Sequence, residues 1–106
     1  MKDLSIGILN ELYGNRLTDK QRKIVEAYYD YDLSLGEIAS VEGISRQAVM
    51  DSLKKSEKTL HECEDDMGLL KKSNGIKSII EELLARESVA SDPESVRLLS
   101  KMLELL

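Results

Sequence analysis

Two helix-start signals lie so close together that only a short helix fits between them, and this spacing constrains the fold more than any other feature. Ser34-Leu35-Gly36-Glu37 is a capping box: the serine side chain accepts from the backbone N–H of the glutamate, whose carboxylate reaches back to the N–H of the serine. Leu33 and Ile38 hold the two positions of a hydrophobic staple. Gly43 follows nine residues after Ser34, and Ser45 opens another helix, with Ile44 and Val49 as a second staple pair. A short helix, a glycine-containing turn and a second helix describe the helix-turn-helix. Ala39 is small where the two helices should cross, Gly43 can take the left-handed backbone of a tight turn, and Ile44, Val49 and Leu53 would pack the pair. The alternative is an ordinary αα-hairpin in a helical bundle.

The flanking segments also read as helices. Leu4, Ile8, Leu9 and Leu12 share one face of a first helix, which Asp3 would cap and Gly14-Asn15 would end. Thr18-Asp19-Lys20-Gln21 is a further capping box. It opens a second helix that turns Ile24, Val25, Tyr28 and Tyr31 inward and stops at Asp30-Tyr31-Asp32. The helix after Ser45 carries Val49, Leu53, Ser56, Leu60, Cys63 and Met67 on its inner face, so it is expected to be long. Beyond it, Gly68 and Ser73-Asn74-Gly75 offer breaks, Ile76, Ile79, Ile80, Leu83 and Leu84 form an apolar stripe, and Ser88 to Asp92 reads as a linker. A last helix starts at Asp92-Pro93, or one position earlier with Ser91 and Glu94, and carries Val96, Leu99, Met102, Leu103 and Leu106. The expected organisation is a helix-turn-helix domain over residues 1–68, followed over residues 69–106 by helices that either complete its core or form a dimer interface.

Composition agrees with an all-α chain. Phe and Trp are absent, four tyrosines are the only aromatics, and Pro93 is the single proline, whereas a sheet core draws on aromatic and β-branched side chains. One cysteine excludes a disulfide framework and a Cys-cluster zinc site. With one histidine and no glycine-rich phosphate loop, nucleophilic and phosphoryl-transfer catalysis lack their parts, so neither an enzyme nor a cofactor is expected. His61 and Cys63, two apart on a helix, diverge by roughly 200° and cannot meet one metal ion; Cys63 reads as core filler. No stretch approaches ~18 apolar residues. Met1-Lys2-Asp3 leads into no signal-peptide core, so a cytoplasmic protein with no membrane partner is expected.

Net charge is −5, with ten acidic against six basic groups in residues 61–106 and four of each in residues 34–60. Any nucleic-acid surface must therefore be a local one in the first sixty residues. If the helix after Gly43 is a recognition helix, its period turns Gln47, Asp51, Lys54, Lys55 and Lys58 away from the Val49–Leu53 face, with Arg46 and Met50 on the flank. Ser45, Arg46, Gln47 and Met50, near its N-terminus, would meet base edges; arginine binds guanine and glutamine adenine in bidentate fashion. Lys54, Lys55 and Lys58 would hold phosphates, with Lys20, Arg22 and Lys23 as a second line. Asp51 and Glu57 oppose this, and a solvated face laced with i, i+4 pairs such as Asp51–Lys55 competes with it. Tyr28, Tyr29 and Tyr31 could stack unpaired RNA bases, but their spacing puts Tyr28 and Tyr31 in the core and leaves Tyr29 as the exposed ring.

Tyr13-Gly14, Leu17-Thr18-Asp19-Lys20-Gln21, Glu37-Ile38-Ala39 and, above all, Ile44-Ser45-Arg46-Gln47-Ala48-Val49 carry a resemblance that Lys54-Lys55-Ser56-Glu57 and Leu60 continue. From Leu12 to Lys72 the chain resembles the YlxM family of small bacterial proteins, whose fold is similar to sigma-factor region 4. The resemblance implies a helix-turn-helix protein encoded beside signal recognition particle genes and acting in that pathway as a regulator. DNA or the particle's RNA, and its protein component, are the partners it suggests. A homodimer through the leucine-rich C-terminal helices is a further expectation. The rival readings are a protein-binding adaptor that keeps the helix-turn-helix only as a scaffold, and a DNA-binding transcriptional regulator.

Overall fold

Most of the start signals act as their local chemistry requires. In a computed structural model, which describes residues 2–106, α1 (Ser5–Tyr13) has Leu4 rather than Asp3 at its N-cap, while Asp3 Oδ1 accepts from the backbone N–H of Ser5 at 3.0 Å. A 3-10 turn, Gly14–Arg16, follows. Both capping boxes close: Thr18 with Gln21 starts α2 (Asp19–Tyr29), and Ser34 with Glu37 starts α3 (Leu35–Glu42). Next come α4 (Arg46–Met67), α5 (Leu69–Leu84), the single turn α6 (Glu87–Ala90) and α7 (Pro93–Glu104). No strand occurs among the described residues, so the all-α reading with helices beyond the helix-turn-helix is correct. The chain divides into two compact units, Met1–Gly68 and Leu69–Leu106.

In the first unit, α1, α2 and α3 all pack against α4. The inner stripe of α4 runs through Val49, Leu53, Ser56 and Leu60, all buried, with Cys63 half-buried. At 22 residues the helix is as long as its stripe required, but Met67, in its last turn, is exposed. Ile24 and Val25 are buried from α2, and Ile38 and Ala39 from α3.

Three further burial expectations are overturned. The buried face of α1 is Ile6, Leu9, Asn10 and Tyr13, whereas Leu4 is 77% exposed and Ile8 and Leu12 are also exposed. Both stripes have helical spacing. The winning one buries the large ring of Tyr13, whose hydroxyl donates to Glu64 at 2.7 Å, and it includes a polar Asn10 that an apolar pattern passes over. Tyr31 is 71% exposed. Helix α2 ends at Tyr29 and Asp32 takes φ +55°, so the helical period no longer positions Tyr31. Tyr29, in turn, is not an exposed ring but half-buried.

In the second unit, α5, α6 and α7 pack on one another. Ser73-Asn74-Gly75 does not break the chain, because α5 runs through it. Those residues cost a helix about 0.5–1 kcal/mol each, which packing of the remaining turns can offset. Of the Ile76–Leu84 stripe, Ile80 is buried and Leu84 half-buried, while Ile76, Ile79 and Leu83 stay exposed. The Ser88–Asp92 linker holds helical turn α6, closed by Ala90 N–H to Arg86 O at 2.8 Å and Ser91 N–H to Glu87 O at 3.0 Å. Asp92 is the N-cap of α7 with Pro93 at its first position, so the earlier Ser91 start is not used. Val96, Leu99 and Leu103 are half-buried, whereas Met102 and Leu106 are exposed.

Candidate nucleic-acid interface

Gly43 makes the turn between α3 and α4. Its φ of +67° lies in the left-handed region, and Ala39 O accepts from the N–H groups of both Gly43 and Ile44, the latter at 3.1 Å. Ser45 then caps α4 by accepting from Ala48 N–H at 3.0 Å. Val49 and Leu53 lock inward, so the opposite side of α4 must face water. Ser45, Arg46, Gln47, Met50, Asp51, Lys54, Lys55 and Lys58 are all exposed. The structure therefore brings every residue of the candidate face together on one helix surface.

Its electrostatics differ from the expected pairing. Asp51 takes its hydrogen bond from Gln47 Nε2, at 2.9 Å, rather than pairing with Lys55. The carbonyl and the second amide N–H of Gln47 make no hydrogen bond among the described residues. Arg46, Lys54, Lys55 and Lys58 have no ion-pair partner among the described residues. The stem of Arg46 passes the first turn of α3, its Cδ lying 4.0 Å from where a Cβ on Gly36 would sit. In the second line, Arg22 pairs with Asp19 at 3.5 Å, while Lys20 and Lys23 are exposed.

Beside Met50 and Lys54 opens a cleft of about 450 Å³ that no local pattern of residues announces. Tyr28 and Tyr29 from the end of α2, Leu35 from α3, and Leu53 and Glu57 from α4 line it, together with Lys2 and Asp3. The two tyrosine rings meet edge to face at 5.1 Å. The Tyr29 hydroxyl donates to Glu57, and burial, together with that carboxylate, raises the pKa of the phenol. Glu57 is thus half-buried and held from inside, not a free charge on the outer face. Lys2 Nζ donates to Tyr28 O at 2.8 Å and to Asp32 at 2.7 Å, and sits 4.0 Å from the centre of the Tyr28 ring. Bonds from the Ser5 hydroxyl and backbone hold the Asp3 carboxyl below its ordinary pKa, with His61 3.7 Å away.

Residues 1–99 match the family model described as "Putative helix-turn-helix protein, YlxM / p13 like", the UPF0122 family. The chain belongs to this family. A UPF0122 protein of Desulforamulus reducens is 48% identical over 77 residues, spanning 72% of this chain and 66% of the relative. One from Thermoanaerobacter sp. (strain X514) is 42% identical over 106 residues, 93% of this chain and 88% of the relative. A third, from Shouchella clausii, is 43% identical over 91 residues, covering 86% and 82%. The matched UPF0122 segment contains the helix-turn-helix, the exposed face of α4 and the cleft beside it. Among the described residues of this UPF0122 chain, no helix is long and apolar enough to cross a membrane.

Proposed function

We propose that this UPF0122 protein is a non-catalytic, nucleic-acid-binding regulatory component, acting in the signal recognition particle pathway as its YlxM resemblance implies. DNA or the particle's RNA is the ligand, read by Ser45, Arg46, Gln47 and Met50 and anchored by Lys54, Lys55 and Lys58. One observation carries the reading. Four cations line the outer side of the helix that follows a left-handed glycine turn, exposed and without an ion-pair partner among the described residues. Asp51, the main objection, is held by Gln47.

Salt titration tests it. Affinity for duplex DNA or RNA should fall log-linearly with salt. The double substitution Arg46→Ala, Lys54→Ala should flatten the slope by ~0.9 for each duplex-DNA phosphate no longer neutralised, or ~0.7 on a single strand. An unchanged slope overturns the reading. Tight, salt-insensitive binding to the particle's protein component without RNA would give the helix-turn-helix to an adaptor instead.

The C-terminal unit leaves Ile76, Ile79, Leu83, Leu98 and Met102 exposed on its helices, and we propose that they pair two copies into a homodimer. Sedimentation at micromolar concentration should return twice the 11.9 kDa chain mass; the chain mass alone ends this part of the proposal.

A further inference from the structure

We propose that the cleft beside α4 receives one unpaired nucleobase carrying an exocyclic amino group, such as cytosine, while the adjoining strand runs along the lysines of α4. This rests on the nucleic-acid reading above and names the part of the ligand that the cleft recognises.

Three observations lead to it. The cleft joins the candidate face rather than lying apart from it, since Met50 and Lys54 belong to both. A base entering it would bring its own phosphate to the ammonium of Lys54, which has no ion-pair partner among the described residues. The walls combine the ring of Tyr29 with the thioether of Met50 and the side chain of Leu35, surfaces against which a flat aromatic base packs whatever its sequence, while Lys2 covers a face of the Tyr28 ring. Hydrogen-bonding groups on the walls then set which base is preferred.

Glu57 supplies the selection. One of its oxygens accepts from the Tyr29 hydroxyl, which fixes the carboxylate at the cleft wall, and its second oxygen takes no bond from the described residues. A carboxylate accepts from the N4 amino group of cytosine but repels a phosphate. Carboxylates in this wall therefore suit a base edge and oppose a bare anion.

A cationic side chain of a protein partner is the main competitor. Lys2 already occupies a face of Tyr28, 4.0 Å from the ring centre, and Lys54 also lines the cleft. The cation position over the Tyr28 ring is thus filled by the chain's own charge, and an arginine reaching for Glu57 would also meet the ammonium of Lys54, another lining residue. A neutral planar group meets no such opposition.

The test uses the full chain and labelled RNA hairpins of one stem sequence, either fully paired or carrying one bulged cytosine, uracil or abasic site, measured by fluorescence anisotropy at fixed salt. The cytosine bulge should bind roughly tenfold tighter than the paired stem, within the range of one stacked base. Uracil should fall between, and the abasic bulge should match the paired stem. Glu57→Gln should narrow the gap between cytosine and uracil. Met50→Glu, at an exposed position where folding is not at stake, should abolish the bulge preference with the circular dichroism melt unchanged. Equal affinity for all hairpins, with the salt slope still lowered by Arg46→Ala and Lys54→Ala, overturns the cleft and leaves the nucleic-acid reading standing. No binding to any hairpin or duplex overturns both. Binding of a labelled hexa-arginine peptide in the absence of RNA, weakened by Glu57→Gln and accompanied by no bulge preference among the hairpins, would assign the cleft to a protein cation and overturn the base.

Discussion

Truncating Leu60 to alanine is expected to destabilise the first unit by roughly 2–5 kcal/mol, the range for deleting a fully buried leucine whose neighbours relax only partly. Leu60 is wholly buried on α4, and α4 is the helix against which α1, α2 and α3 all pack. A void there weakens the packing of several elements at once. One turn earlier on the same stripe lies Ser56, also wholly buried, whose Oγ has no hydrogen-bond partner among the described residues. Ser56→Ala removes an unpaired buried oxygen and improves helix propensity, so it should stabilise by about 1 kcal/mol. The two substitutions thus move stability in opposite directions from adjacent turns. Urea unfolding followed by tyrosine fluorescence reads the effect cleanly, because Tyr13, Tyr28, Tyr29 and Tyr31 all lie in the first unit. A loss under ~1 kcal/mol for Leu60→Ala would mean that the α4 stripe is not the core.

The helix starts were legible because each is a local device. Thr18 with Gln21 and Ser34 with Glu37 need only a spacing of three, and both boxes form. The exposed face of α4 was legible for a related reason: Val49 and Leu53 fix which side is inward, and the period then exposes Arg46, Gln47, Lys54, Lys55 and Lys58. What failed was any choice between two local options of equal standing. Leu4, Ile8, Leu9 and Leu12 make as good a stripe as Ile6, Leu9 and Tyr13, and only the partner helices decide that Leu9 turns inward with the second set. Asp51 had both Gln47 and Lys55 four residues away, and the structure pairs it with Gln47. Contacts between segments were beyond reach altogether. Tyr29 meets Glu57 across 28 positions of sequence, and the cleft is assembled from the N-terminal residues, α2, α3 and α4. Breaks inside a helix fared worst, since Ser73-Asn74-Gly75 has turn chemistry yet lies within α5. Propensity is a small term that tertiary packing overrides.

Two glycines with the same chemistry should respond in opposite ways to alanine, and the difference isolates what the turn before α4 requires. Gly43 has φ +67°, and a Cβ built there meets nothing within 4 Å, so the strain of Gly43→Ala comes from the left-handed backbone alone. That conformation costs an L-residue roughly 1–2 kcal/mol, which tyrosine-detected unfolding should show as lower stability. Gly43→Asn should recover part of the loss, because asparagine enters the left-handed region more readily. Gly75 lies inside α5, and a Cβ there also meets only open space. Gly75→Ala should therefore stabilise its helix by about 0.5–1 kcal/mol, since it removes the backbone entropy that glycine loses in a helix, and far-UV circular dichroism melting would detect it. A neutral Gly43→Ala would show that the chain passes from α3 to α4 without a left-handed residue. The turn that sets the outward face of Arg46, Gln47 and Lys54 would then have to be built differently.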